Sequence, residues 1–161
     1  MRGTGVAVLC LVLAAAVVFT ADCTRRPEPA KKVAEAMMEK ALNQGGDSKT
    51  KVDLGGSGSV DLSGLPENLR FPGAKALSHV SGMGGESKTE TYIMQTDAPI
   101  AEVAAHFKSS LAGWKQVHLM EADQMTSMSF ESADGSQNVS IMIGRNQQDA
   151  KTTMNITLLG K

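Results

Sequence analysis

Residues 126–145 read TSMSFESADGSQNVSIMIGR, and this stretch decides the fold. Met128 and Phe130 alternate with Ser127, Ser129 and Glu131, and Val139, Ile141 and Ile143 alternate with Asn138, Ser140, Met142 and Gly144. A period of two is the signature of a strand with one apolar face. Asp134-Gly135 between the two runs is a hairpin-turn dipeptide. Two such strands joined by a tight turn must cover one face, so the remainder of the chain is read for what covers it.

Outward from this hairpin, the same pattern recurs. Thr152–Leu159 carries Met154, Ile156 and Leu158 on one parity, and Lys115–Glu121 carries Val117 and Leu119. With Thr126–Ser132 and Gln137–Arg145 they form a four-strand meander. Upstream, Ile100, Val103, Ala104, Phe107 and Leu111 fall at helical spacing. Asp97-Ala98-Pro99 marks the start of this helix, with Asp97 near the cap, and Gly113 marks its stop. Before it, Lys75–Ser81 and Lys88–Thr96 read as strands, the second with Glu90, Tyr92 and Met94 opposite Thr89, Thr91, Ile93 and Gln95. The expectation is an α+β domain over residues 65–161, one helix packed on an antiparallel β-meander in the order β-β-α-β-β-β-β. Tyr92, Phe107, Trp114 and Phe130 are its expected aromatic core.

Four segments precede this domain. Residues 45–64 are rich in Gly and Ser, and Val52-Asp53-Leu54 and Val60-Asp61-Leu62 flank Gly55-Gly56-Ser57-Gly58. A linker or a weak hairpin fits that composition. Residues 31–44 form a separate amphipathic helix with Val33, Met37 and Ala41 on one face and Ala34, Met38 and Leu42 beside them. Packing of that apolar face on its own domain is the expectation, and a position on a membrane surface is the alternative. Residues 23–30 hold two arginines and two prolines and read as a tether. Residues 1–22 read as a secretory signal peptide: Arg2 precedes an unbroken apolar run of 14 residues, Val6–Phe19. As a helix this run spans roughly 21 Å, short of the roughly 30 Å hydrocarbon core.

Phe19-Thr20-Ala21-Asp22-Cys23 resembles the bacterial lipobox, with Asp22 where that motif has Gly, Ala or Ser. The resemblance implies a lipoprotein: diacylglyceryl on the Cys23 sulfur, Cys23 as the mature N-terminus, and a membrane as partner through that lipid. Thr24 after the cysteine, in place of Asp, implies the outer membrane in two-membraned bacteria. Cleavage near Ala21, giving a soluble periplasmic or secreted protein, is the alternative. Further on, Leu65-Pro66, Phe71-Pro72-Gly73-Ala74, Thr96-Asp97-Ala98-Pro99 and Gly113-Trp114 resemble a recurring exported α+β domain of bacteria. That group has a Leu-Pro opening, a Tyr-Pro-Gly-Ala turn and a helix ending in Gly-Trp. Phe71 stands here for its Tyr, and the resemblance implies no activity.

Composition excludes several functions. The chain has 161 residues, 42% hydrophobic and 20% charged, with 16 Lys+Arg against 17 Asp+Glu. So balanced a charge gives no basic field for nucleic acid, and the aromatics lack basic interleaving. Of the two cysteines, Cys10 lies in the leader, so the mature chain would hold Cys23 alone and no internal disulfide. His79, His106 and His118 are dispersed, without His-Glu-x-x-His, and no Gly-x-Ser-x-Gly elbow occurs. No catalytic residue and no cofactor is nominated. One soft-metal set stands out: His118, Met120, Met125 and Met128 within eleven residues suit Cu(I). Met128 also fits the core. Three functions therefore stand: a non-catalytic envelope module binding a protein or peptide, a periplasmic copper-handling protein, and a hydrolase whose site only folding assembles.

Overall fold

The computed structural model describes residues 28–43, 49–55, 60–84 and 87–160. The leader, Cys23 and most of the tether lie outside the described residues. Among the described residues, two α-helices and one seven-stranded antiparallel sheet make up an α+β fold. In chain order the elements are α1 (Glu28–Leu42), β1 (Lys49–Leu54), a 3-10 turn (Glu67–Leu69), β2 (Lys75–Gly84) and β3 (Ser87–Thr96). They continue with α2 (Ile100–Ser110), β4 (Lys115–Ala122), β5 (Met125–Glu131), β6 (Gln137–Arg145) and β7 (Thr152–Gly160). The strand order across the sheet is β1-β2-β3-β7-β6-β5-β4. The last four strands form a meander whose final member returns to pair with β3.

The alternation of the sequence becomes two faces. One row across the sheet runs Tyr92, Ile156, Ile141, Met128, and the next runs Met94, Met154, Ile143, Thr126. All of these are buried. Helix α2 lies over β5, β6 and the 3-10 turn, and adds Val103, Ala104 and Phe107. Leu65, Leu69 and Phe71 close the remaining side of the core. The cap of α2 differs from expectation. Pro99 precedes the first helical residue, no side chain caps it, and Asp97 instead accepts from Lys151 Nζ at 3.0 Å. The start of α2 is held by the Ala98 carbonyl, which accepts from Thr152 Oγ1 (2.6 Å) and Arg145 Nη1 (3.1 Å).

Three further expectations are corrected. Residues 49–54 are not linker but the edge strand β1, paired in register with β2 from Lys49↔Met83 to Leu54↔Ser78. Val60-Asp61-Leu62 forms no strand. Val60 is buried, and the Asp61 N–H donates to Asp53 Oδ2 at 3.3 Å. The crossing is tight at Gly55, whose N–H donates to the Leu77 carbonyl at 2.6 Å; a Cβ there would stand 2.7 Å from that oxygen. Val117 and Leu119 are not buried: every residue of β4 is exposed, because α2 packs on β5 and β6 and leaves this last strand uncovered. Trp114 is only partly buried at the margin of the core.

The largest departure concerns α1. It does pack on the domain, but through its polar stripe. Glu35 Oε1 accepts the Leu54 N–H (2.8 Å), Glu39 Oε1 accepts the Val52 N–H (2.9 Å), and Asn43 Oδ1 accepts the Thr50 N–H (2.8 Å). Asn43 Nδ2 donates back to the Thr50 carbonyl at 3.1 Å. The periods match: four helical residues rise about 6 Å, and two strand residues advance about 6.8 Å. Side chains four apart therefore meet outward-facing amides two apart along the antiparallel strand. Lys31 adds an ion pair with Asp53 at 3.0 Å. An edge strand presents unpaired amides, and here a helix supplies their acceptors. The apolar side of α1 is turned to solvent: Val33, Met37, Met38 and Leu42 are 53, 68, 44 and 49% exposed.

Candidate functional site

The sheet face opposite α2 carries the exposed chemistry. Register places Met120, Ser127, Met142 and Asn155 in one row, with Met125 and Gly144 in the adjacent row. Met125 is thus the diagonal neighbour of both Met120 and Met142, at a backbone spacing of about 7–8 Å. Met120 and Met142 flank β5 and stand two strand spacings, about 10 Å, apart. Met120 and Met142 are 43 and 52% exposed. A hollow of about 390 Å³ opens beside Met125 and Met142, lined also by Gln124, Gly144, Arg145, Asn146, Thr153 and Asn155. Its polar lining combines the amide residues Gln124, Asn146 and Asn155 with Thr153 and Arg145, beside the thioethers of Met125 and Met142.

Of the proposed soft-metal set, the structure keeps part. His118 and Met120 share the open face of β4, and Met125 joins them on β5. Met128 does not belong. It points into the core, fully buried beside Ile141, as strand parity requires. Met142, which the sequence reading left out, takes its place on the open face. The signal was present, since Met142 has the opposite parity to Ile141 and Ile143. Among the described residues no three His, Cys, Asp or Glu side chains are grouped to hold a metal ion.

The histidines of the core face serve packing. His79 stacks on Tyr92, with centroids 4.2 Å apart and planes 2° from parallel. His106 sits edge-on to Phe71 and Phe107, each at 5.2 Å. The Nε2 atoms of both, and the Tyr92 hydroxyl, are buried without a hydrogen-bond partner. Burial, aided by the carboxylates of Glu90 and Asp61, pushes the Tyr92 phenol up to about 12. It stays neutral across the physiological range. Glu90 itself is nearly buried and ion-paired with Lys88 at 2.8 Å. At the β5–β6 turn, hydrogen bonds from the Ser132 hydroxyl and from the Ser136 amide and hydroxyl hold the Asp134 carboxyl down at about 2. That network shapes the turn rather than a reaction centre.

The second feature is the edge itself. Its counterpart, β1, has its amides capped by α1, whereas β4 is exposed along its whole length, with Val117 and Leu119 51 and 38% exposed. No protein-family model, curated protein or solved structure matches the chain. Among the described residues no helix is long and apolar enough to cross a membrane.

Proposed function

We propose that this is an exported bacterial lipoprotein, held at the membrane by lipid on Cys23, whose sheet binds an extended segment of another envelope protein along β4 without catalysis. The observation that carries the reading is the contrast between the two sheet edges. An exposed strand presents a row of backbone donors and acceptors, and an incoming strand satisfies them while side-chain hollows select its residues. Val117, Leu119 and Met120 supply apolar contacts on β4, and the hollow lined by Met142, Arg145 and Asn155 continues the surface across β5, β6 and β7. The leader Val6–Phe19 and the lipobox-like segment ending at Cys23 support export and anchoring.

Two experiments test this. Replacing Cys23 with Ser should move the chain from the membrane to the soluble fraction, and unchanged fractionation would reject the anchor. A photo-crosslinking residue at position 119, on the open edge, should capture an envelope protein in living cells, whereas the same residue at Val33 on α1 should not give that adduct. Equal capture from both positions, or none from position 119, would reject strand addition at β4.

A second reading draws on Met120, Met125 and Met142 sharing one face: transport of Cu(I), for which thioethers are suitable soft ligands. Titration of purified protein with Cu(I) against a competing chelator tests it. Binding weaker than micromolar, or binding unaffected by leucine at all three positions, would end it.

A further inference from the structure

The apolar face of α1 points away from the protein that holds it. Helices of globular domains bury their apolar stripe, because its removal from water is what stabilises their docking. In α1 the arrangement is reversed. Glu35, Glu39 and Asn43 are committed to the amides of β1, and that commitment fixes the rotation of the helix. Val33, Met37, Met38 and Leu42 consequently form an exposed strip along it. From its polar stripe the helix cannot turn this strip inward without releasing three hydrogen bonds.

We infer that this strip lies on the surface of an anionic phospholipid membrane and sets the orientation of the domain on it. The inference rests on the proposed anchor at Cys23. Four residues, and so five peptide links, separate Cys23 from the first residue of α1. Fully extended they span at most about 18 Å, so a lipidated Cys23 keeps the helix at the bilayer surface. The charges agree. The acidic side chains Glu35 and Glu39 face β1, while Lys40, three residues after Met37 and seven after Val33, is exposed at the border of the apolar strip. A helix with an apolar face and a lysine border is the form that lies in the headgroup region. A second copy of the chain fits less well. The 15 residues of α1 offer a strip roughly 22 Å by 10 Å, well below the roughly 800 Å² per partner of a stable interface. Orientation matters to the proposed binding, because the helix closes the β1 edge while β4 lies at the opposite end of the sheet. A domain lying on α1 therefore holds its open edge away from the lipid.

Methionine oxidation reads the contact directly. Met37 and Met38 lie on the strip, and Met83 and Met142 are internal controls of comparable exposure, 56 and 52%. In native membranes treated with peroxide, Met37 should form sulfoxide about fivefold more slowly than Met83, since an inserted apolar face is withdrawn from water. In the soluble Cys23→Ser chain the two should react alike, and phosphatidylglycerol vesicles should restore the difference. Val33→Asn, which touches none of the β1 hydrogen bonds, should weaken the protection. Equal oxidation of Met37 and Met83 in membranes, with the lipid on Cys23 confirmed by intact mass, overturns the inference and leaves the anchor standing. Absence of the lipid overturns the anchor, and vesicle protection of the soluble chain then decides the helix alone. Protection in the soluble chain without vesicles, together with a dimeric mass, assigns the strip to a second copy and overturns the membrane assignment.

Discussion

Replacing Glu39 with Ala isolates the bond on which the placement of α1 depends. The Val52 N–H donates to Glu39 Oε1 at 2.9 Å in a half-buried setting, and Val52 itself is 5% exposed. Hydrogen bonds to charged acceptors contribute about 1.5–3 kcal/mol, and partial solvent access places this one just below that range, at about 1.4 kcal/mol. That is a tenfold change in the opening equilibrium, because 1.36 kcal/mol is one decade. Native-state hydrogen exchange followed by NMR is the assay. In the parent chain the Thr50, Val52 and Leu54 amides should be protected although they face away from β2. In Glu39→Ala the Val52 amide should exchange about tenfold faster, with Lys51 and Asp53, which face β2 by strand alternation, changing less. Glu39→Gln keeps an acceptor and should retain most of the protection. If all three outward amides accelerate together, the helix undocks as a unit. A Val52 amide exchanging at the parent rate in Glu39→Ala would refute the reasoning, since its protection would then owe nothing to the helix.

Phe107→Ala should lower unfolding free energy by about 3–5 kcal/mol in urea denaturation, whereas Trp114→Ala, partly buried, should cost clearly less; the reverse order would displace the core from under α2. The single tyrosine permits a clean alkaline titration. Tyr92 phenolate absorbance should rise with a midpoint at about 12 in the native chain and near the ordinary value, about 10, in denaturant. Because the folded value is the higher, the stability this group contributes is complete below about 10 and is lost as pH climbs toward 12. A native midpoint at the denatured value would contradict its burial. Gly55→Ala places a Cβ 2.7 Å from the Leu77 carbonyl and 2.8 Å from Val60 Cγ2, so it should lower the urea midpoint and loosen β1 first. An unchanged midpoint would show that the crossing has slack.

The parts of the fold legible in the sequence are those whose periodicity reports a neighbour on one face only. Val139, Ile141 and Ile143 alternate because α2 lies over one side of β6 and solvent lies on the other. Helix α2 shows its stripe for the same reason. Strand β1 was hidden because its sequence, KTKVDL, has little apolar alternation, and its pairing depends on β2 and α1. The rotation of α1 was hidden for a related cause. An apolar stripe normally predicts burial, but here three backbone donors on a strand edge compete for the opposite stripe. Nothing within residues 28–42 encodes that those donors exist. Parity did separate Met128 from Met125, and it also places Met142 with Met125, but only once β5 and β6 are known to be neighbours.

The two ends of the sheet therefore present different physical problems, and the chain treats them differently. At β1 the outward amides meet side-chain acceptors spaced to fit them, which blocks strand addition there as effectively as a further strand would. At β4 no element of the described chain lies beyond the strand, and lysine and glutamate side chains are tied back across it: Lys115 pairs with Glu131 at 3.5 Å and Glu121 with Lys108 at 2.7 Å. Such pairs are worth at most about 1 kcal/mol on a surface, so they moderate the edge without closing it. A partner strand that supplies backbone bonds along β4 outweighs them, whereas the same strand offered to β1 would first have to displace a helix. This asymmetry predicts one-sided assembly: a single added strand per chain, at β4, with β1 unable to propagate a chain of sheets. Loosening α1 should remove that limit. The Glu35→Ala/Glu39→Ala double variant should show concentration-dependent self-association by light scattering that the parent chain does not, and a monomeric double variant with α1 released would refute the capping role.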